Sequence, residues 1–175
     1  MELPDKLQNL PFNCGIYAVW MVFQHHGIEL EVDDLLKLCR YSEEEGTSTI
    51  ALAVALKKLG MQVHFYTDPD DDLQPTEQWF YQQAQDLQMP ILAAMSYVEI
   101  LQAVEQGKFV IVYYDLPSGE GNHSLVYEMD TGSISFFDHF DVYTAEQFEQ
   151  LRSAEGICRQ VIVIDVNYEN LYAVE

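Results

Sequence analysis

Cys14 is the residue of this sequence best placed to act as a nucleophile, because it directly precedes an apolar helical pattern. Ile16, Val19 and Phe23 follow the i, i+3, i+7 spacing of one helix face. This spacing predicts a helix over residues 15–26. The N-terminus of a helix presents unpaired N–H groups and the positive end of its dipole, and both lower the pKa of a thiol. The position therefore favours a reactive thiolate over an inert thiol buried in the core.

A thiol nucleophile needs a base, and the sequence offers five histidines. His25 and His26 lie on the same predicted helix as Cys14, about three turns away, which is too far for contact. His123 follows the loop sequence PSGEGN and begins a predicted strand, at the rim of the predicted sheet. We therefore favour His123 as the base, and the alternative is an ordinary solvated histidine at the end of a loop.

A hairpin that follows His123 predicts a carboxylate partner for its imidazole. The segments HSLVYEM and SISFFDH flank the turn DTG, which is typical of an antiparallel hairpin. A two-residue turn places Asp138 opposite Leu125 and diagonal to His123, with about 6–8 Å between the Cβ atoms of the diagonal pair. A turn of another length reverses the faces, and His139 or Asp141 would then compete with Asp138.

Attack of a thiolate on an amide creates an oxyanion, which needs hydrogen-bond donors already in place. The backbone N–H of Cys14 is one candidate donor. The side-chain amide of Gln8, six residues upstream, is the other.

The residues Gln8, Cys14, His123 and Asp138, in that order, resemble the catalytic residues of a papain-like cysteine peptidase. The stretch QNLPFNCGIYAVWMVFQHHGI is similar to the opening of the bacteriocin-processing peptidase family, which removes double-glycine leader peptides, and of its stand-alone relatives. The segments GTSTIALAVALKKLGMQV, VEILQAVEQGKFVIVYYD and GNHSLVYEMDTGSISFFD resemble the next helix, the central strand and the hairpin of that family.

The resemblance implies a role for each of the four residues. Gln8 would be the oxyanion-hole donor, Cys14 the nucleophile, His123 the general base and acid, and Asp138 the orienting carboxylate. We expect no cofactor and no metal. Asn13 stands where the family usually carries Asp, which weakens any inference about leader specificity but removes no catalytic atom.

The order of the predicted elements indicates a single α+β domain over residues 1–175, with N-terminal helices packed on an antiparallel sheet. Residues 109–114, FVIVYY, form an apolar run typical of a central strand buried on both faces. Ser96 with Glu99 predicts a capping box that opens a helix. Thr144 and Gln147 predict a second capping box further along the chain.

The composition narrows the range of partners. The net charge is −21, from 29 acidic and 8 basic residues, which disfavours binding to nucleic acid or to an anionic membrane. The same charge would attract a basic peptide or protein substrate, although an acidic surface also simply keeps a protein soluble. We expect no membrane span and no secretory signal, because the sequence has no apolar run of sufficient length and its first residues lack the pattern of a signal peptide. Three cysteines predict no disulfide framework, which favours a cytoplasmic protein, and we expect Cys39 and Cys158 to be buried thiols.

Three functions remain open from the sequence alone. The first is a thiol hydrolase that cleaves a peptide or isopeptide bond through an acyl-enzyme. The second is a glutamine deamidase or acyltransferase that uses the same catalytic groups on another bond or acceptor. The third is a non-catalytic module that binds peptides on the same fold, since a fold alone does not fix a function.

The role of Cys14 can be tested by replacing it with alanine. We expect Cys14→Ala to keep the wild-type unfolding temperature and to lose all activity, because a nucleophile contributes chemistry and not packing. Thermal unfolding followed by circular dichroism measures the first quantity and turnover of a peptide substrate the second. A variant that fails to fold would instead show that Cys14 fills the core.

Overall fold

One seven-stranded sheet organises the computed structural model, which describes residues 3–165. The helices are α1 (Asp5–Gln8), α2 (Cys14–His25), α3 (Val32–Leu38), α4 (Thr49–Lys58), α5 (Pro75–Asp86), α6 (Tyr97–Glu105) and α7 (Ala145–Arg152). The strands are β1 (Gln62–Thr67), β2 (Ile91–Ala93), β3 (Phe109–Asp115), β4 (Gly121–Met129), β5 (Ser133–Phe136), β6 (Val142–Thr144) and β7 (Val161–Asp165). The predicted α+β fold is confirmed.

The strands lie in the order β2-β1-β7-β3-β4-β5-β6. Neighbouring strands are antiparallel except for β1 and β2, which pair in parallel. The sequence predicts an antiparallel sheet, but it does not predict the parallel pair or the short elements α1, β2 and β6. These three elements have only three or four residues each, so their hydrophobic pattern is too short to show a period.

Two hydrophobic cores cover the two faces of the sheet. The larger core contains most of α2 and α4, and the smaller one contains side chains of α6 and α7. Neighbouring residues of β3 point to different cores, with Ile111 in the larger core and Val110 and Val112 in the smaller. The central strand is thus buried on both faces, as its continuous apolar run predicted.

Helix α2 is buried around most of its circumference. Eight of its residues are buried: Gly15, Ile16, Ala18, Val19, Trp20, Met21, Val22 and Phe23. The stripe of apolar residues predicted only one buried face. Because the helix is enclosed by the sheet and by neighbouring helices, its first residue, Cys14, is held at a fixed position above β4.

Both predicted capping boxes are confirmed. Ser96 accepts a hydrogen bond from the backbone N–H of Glu99 at the start of α6, and the Glu99 carboxylate accepts one from the N–H of Ser96. Thr144 and Gln147 make the same exchange at the start of α7. A capping box involves residues only three positions apart, so it can be predicted without knowledge of the tertiary structure.

The hairpin of β4 and β5 begins with the predicted register and then departs from it. Met129 lies opposite Ile134, as predicted, but a bulge between Val126 and Glu128 shifts the rest of the pairing by one residue. The backbone N–H of Phe137 donates to Leu125, a position that the prediction gave to Asp138. The predicted pairing of Asp138 with Leu125 is therefore wrong, because the bulge adds one residue to β4.

The three thiols have different environments, and all three are free. Cys39 is buried, as predicted, and burial raises its pKa. Cys158 is only partly buried, so the prediction for this residue is wrong. It lies in a turn three residues before the start of β7, at a backbone φ of 53° and beside Arg159.

Candidate active site

The thiol of Cys14 lies at an uncapped helix N-terminus. Asn13 precedes the helix, but its side chain makes no capping hydrogen bond and donates instead to the carbonyl of Leu7 at 2.6 Å. The first N–H groups of α2 therefore stay available, and those of Cys14 and Gly15 face the thiol. Donors in this arrangement can stabilise negative charge on the sulfur or on a neighbouring oxygen.

His123 is the third residue of β4 and lies against Cys14. Its ring nitrogen Nδ1 is 3.7 Å from Cys14 Sγ, and its backbone N–H donates to the same sulfur at 3.4 Å. The side chain is only 5% exposed, so the alternative of a solvated histidine at a loop end is wrong. The structure thus brings together the predicted nucleophile and the predicted base.

A glycine and an aromatic ring fix the imidazole between them. A Cβ atom on Gly15 would lie 3.2 Å from His123 Nδ1 and 2.7 Å from Leu52 Cδ1, so any other residue at this position would displace Leu52 and press against the imidazole. The ring of Tyr113 stacks on the imidazole, with 4.4 Å between the ring centroids and 24° between the ring planes. Tyr113 itself lies over Gly121, where a Cβ atom would overlap its hydroxyl.

The second ring nitrogen of His123 contacts a hydroxyl. Nε2 lies 2.9 Å from Oγ1 of Thr49, the first residue of α4. Thr49 is 2% exposed, so this contact is largely buried. No signal in the sequence points to Thr49 as a partner of His123, because their proximity depends on tertiary packing.

Asp138 lies on a neighbouring polar network. Its Oδ2 accepts a hydrogen bond from Ser124 Oγ at 2.9 Å, and Ser124 also contacts the hydroxyl of Tyr114. The same Tyr114 hydroxyl is 2.8 Å from His139 Nε2. Among the described residues, the hydrogen bonds of His123 go to Cys14 and Thr49 and not to Asp138.

Burial shifts the pKa values of the groups in the site. It raises the pKa of the Cys14 thiol, and the N–H groups of His123 and Gly15 only partly oppose this effect. The lowered thiol pKa that the helix N-terminus predicted is therefore wrong, because removal from water outweighs the helix dipole. Burial also lowers the pKa of His123 well below its usual range and raises that of Asp138.

Gln8 is the last residue of α1 and is exposed at the surface. Its side-chain amide donates to the carbonyl of Leu3 at 2.8 Å. This hydrogen bond would have to be exchanged before the amide could reach an oxyanion at Cys14.

A cavity of about 390 Å³ opens beside the imidazole. His123, Tyr113 and Thr49 form part of its wall. Its charged lining residues are three carboxylates and one guanidinium, from Glu45, Asp70, Glu77 and Arg40. Within residues 3–165, no cluster of three or more His, Cys, Asp or Glu side chains is arranged to hold a metal ion.

Comparison with protein families assigns the chain. The model of the peptidase C39 family matches residues 6–113, which is more than half of the chain. The chain belongs to the peptidase C39 family. It is therefore a cysteine peptidase, as the resemblance predicted, and the matched region includes Gln8 and Cys14 but ends before His123. Comparison with curated proteins found no match.

A solved structure shares the fold of this C39 peptidase. The peptidase domain of Streptococcus ComA, a bifunctional ABC transporter involved in a quorum-sensing pathway, matches with a TM-score of 0.51 and 14% sequence identity. The match covers 86% of this chain and 89% of that domain. In the described part of the chain, no helix is long and apolar enough to cross a membrane.

The close approach at Gly15 can be tested with Gly15→Ala. The added methyl group meets Leu52 and the imidazole, so we expect a loss of about 1–3 kcal/mol in the free energy of unfolding. Urea unfolding measures this loss. Gly27→Ala is not a suitable control, because Gly27 has a positive φ and the substitution would strain the backbone. Ala18→Gly, on the same helix as Gly15, serves as the matched destabilised variant. Alkylation of Cys14 should slow in Gly15→Ala beyond any slowing in Ala18→Gly; equal rates in the two variants would show that Gly15 does not position the imidazole.

Proposed function

We propose that this C39 peptidase cleaves a peptide or isopeptide bond with Cys14 as nucleophile and His123 as general base and acid. The observation that carries the proposal is the contact between Cys14 Sγ and His123 Nδ1 at 3.7 Å, at the start of a buried helix. A thiol and an imidazole in this arrangement are the two groups that acyl transfer through a thioester requires.

The reaction proceeds in two stages. The Cys14 proton passes to His123 Nδ1 as the sulfur attacks the carbonyl carbon, and the C–N bond then breaks as the departing amine takes that proton. The product of this stage is a thioester on Cys14. Water then attacks the thioester and gives a proton to Nδ1, the C–S bond breaks, and the sulfur recovers the proton.

The start of α2 is suited to stabilise the oxyanion of both stages. The N–H groups of Cys14 and Gly15 lack a capping side chain, since Asn13 donates to Leu7 instead. We propose Gln8 as the second donor, on the resemblance alone. Its amide would leave the carbonyl of Leu3 and turn towards the substrate when the cleft is filled.

Asp138 is proposed as the carboxylate of the site. The negative charge of Asp138 raises the pKa of Cys14 and so opposes formation of the thiolate. Asp138 therefore favours states in which Cys14 or His123 holds a proton. Ser124 holds the carboxylate at one oxygen. In this role Asp138 stabilises the imidazolium through its field, and it does so without a hydrogen bond to the ring in the free protein.

The charge of the cavity supports a basic side chain in the substrate. Its lining carries three carboxylates against one guanidinium, and that guanidinium, of Arg40, lies 3.6 Å over the ring centre of Trp79. The overall charge of −21 would also attract a basic segment from solution. We therefore propose a lysine- or arginine-containing peptide or protein as the substrate.

A reducing compartment suits this chemistry. A nucleophilic thiol must stay unoxidised, and the described residues contain two more free thiols, Cys39 and Cys158. We therefore propose that the protein acts in the cytoplasm.

A peptide library identifies the reaction. We expect the purified protein to create new N-termini in a proteome-derived peptide mixture, as read by mass spectrometry, and expect hydroxylamine to convert the acyl-enzyme into hydroxamates. Cys14→Ala and His123→Ala are the controls and should yield neither product. Conversion of glutamine to glutamate without cleavage would assign a deamidase, transfer to added amines an acyltransferase, and tight peptide binding without turnover a binding module.

The preference for basic substrates can be tested with one pair of variants. Glu45 lines the cavity, whereas Glu43 lies in the same loop outside it, and both are exposed. We expect Glu45→Gln to raise KM for a lysine-containing peptide about two- to fivefold, which is typical of a surface charge pair, and Glu43→Gln to leave it unchanged. Equal effects of the two substitutions would show that the preference for basic substrates comes from the overall surface charge and not from the cavity.

A further inference from the structure

We propose that the hydroxyl of Thr49, and not a carboxylate, directly orients the imidazole of His123, so that the resting Cys14–His123 pair is an uncharged thiol and imidazole. This inference rests on the proposed function of Cys14 and His123. It adds a positioning residue to the site, on helix α4.

The geometry gives each ring nitrogen its own partner. Nδ1 faces Cys14 Sγ at 3.7 Å and Nε2 faces Thr49 Oγ1 at 2.9 Å, so the ring is held at both ends. A thiol proton that is shared with Nδ1 leaves the ring proton on Nε2, and the Thr49 oxygen then accepts that hydrogen bond. Without this acceptor, the Nε2–H group would lose its protein hydrogen-bond partner at the moment when the imidazole becomes charged.

The location of Thr49 makes this contact a fixed one. Thr49 begins α4, a helix whose next seven residues are all buried, and the Thr49 side chain itself is 2% exposed. Ser48, which precedes the helix, makes no side-chain capping hydrogen bond. His123 consequently lies between the N-terminal ends of α2 and α4, at Gly15 and at Thr49, where two positive helix ends oppose a charged imidazolium.

The groups around the pair favour the uncharged state. Tyr113 of β3 stacks on the imidazole, and Asp138, from the segment after β5, acts on Cys14 only through its charge. A carboxylate hydrogen-bonded to Nε2 would stabilise an imidazolium and hence a thiolate, whereas a hydroxyl stabilises it less. The thiolate therefore forms chiefly when substrate brings its own carbonyl to the donors at the start of α2.

Thr49→Val and Thr49→Ser separate hydrogen bonding from packing. Valine keeps the shape and removes the hydroxyl, whereas serine keeps the hydroxyl and removes the methyl group. We expect Thr49→Val to slow alkylation of Cys14 at pH 7 about tenfold, the effect of losing one hydrogen bond to a charged group, and expect Thr49→Ser to stay close to wild type. The reverse order of the two variants would assign Thr49 a packing role and overturn the proposal.

The imidazole nitrogens report the same state directly. We expect long-range ¹H–¹⁵N spectra of wild type at pH 7 to show a neutral His123 with its proton on Nε2, and expect Thr49→Val to change this tautomer signal while Asp138→Asn leaves it unchanged. An imidazolium signal in wild type, or a change with Asp138→Asn alone, would overturn the proposal. If His123→Ala slows alkylation but Thr49→Val does not, only this inference fails; if His123→Ala has no effect, the proposed function fails as well.

Discussion

The rest of the site depends on the close approach between the start of α2 and strand β4. Gly15 has no side chain at the point where His123 Nδ1 would meet one, and this absence lets the imidazole reach the sulfur of Cys14. Everything around this contact holds it in place. The apolar circumference of α2 locks the helix into the core, and the ring of Tyr113 closes the other side of the imidazole.

Two opposing electrostatic effects act on this contact, and burial is the larger. The helix N-terminus offers N–H groups that favour a thiolate, yet removal from water raises the pKa of Cys14 and lowers that of His123. In the resting state that we propose, the proton therefore stays on the sulfur. A bound carbonyl group changes the balance, because the negative charge then moves from the sulfur to an oxygen among the same donors. Reactivity is in this way tied to substrate binding.

Much of this arrangement could be predicted from the sequence, because its signals are local. The helix that starts at Cys14, the two capping boxes and the buried central strand all follow from patterns within a few residues. The partner of His123 Nε2 could not be predicted in the same way. A single extra residue in β4 moved Asp138 out of its predicted register, and Thr49 reaches the ring across 74 residues of sequence through packing alone.

The most direct test of the Cys14–His123 pair is the rate at which Cys14 is alkylated between about pH 5 and pH 7. This rate is measured in wild type, in His123→Ala and in the control His64→Ala. The neutral thiol–imidazole pair and the thiolate–imidazolium pair hold the same number of protons, so their ratio does not depend on pH. The fraction of reactive thiolate therefore stays nearly constant as long as the pair takes up no further proton from solvent. We expect a nearly flat profile in wild type and in His64→Ala. In His123→Ala we expect a rise of about tenfold per pH unit, as for an isolated thiol below its pKa. The same steep rise in wild type would contradict the proposed pair, because Cys14 would then react without help from His123.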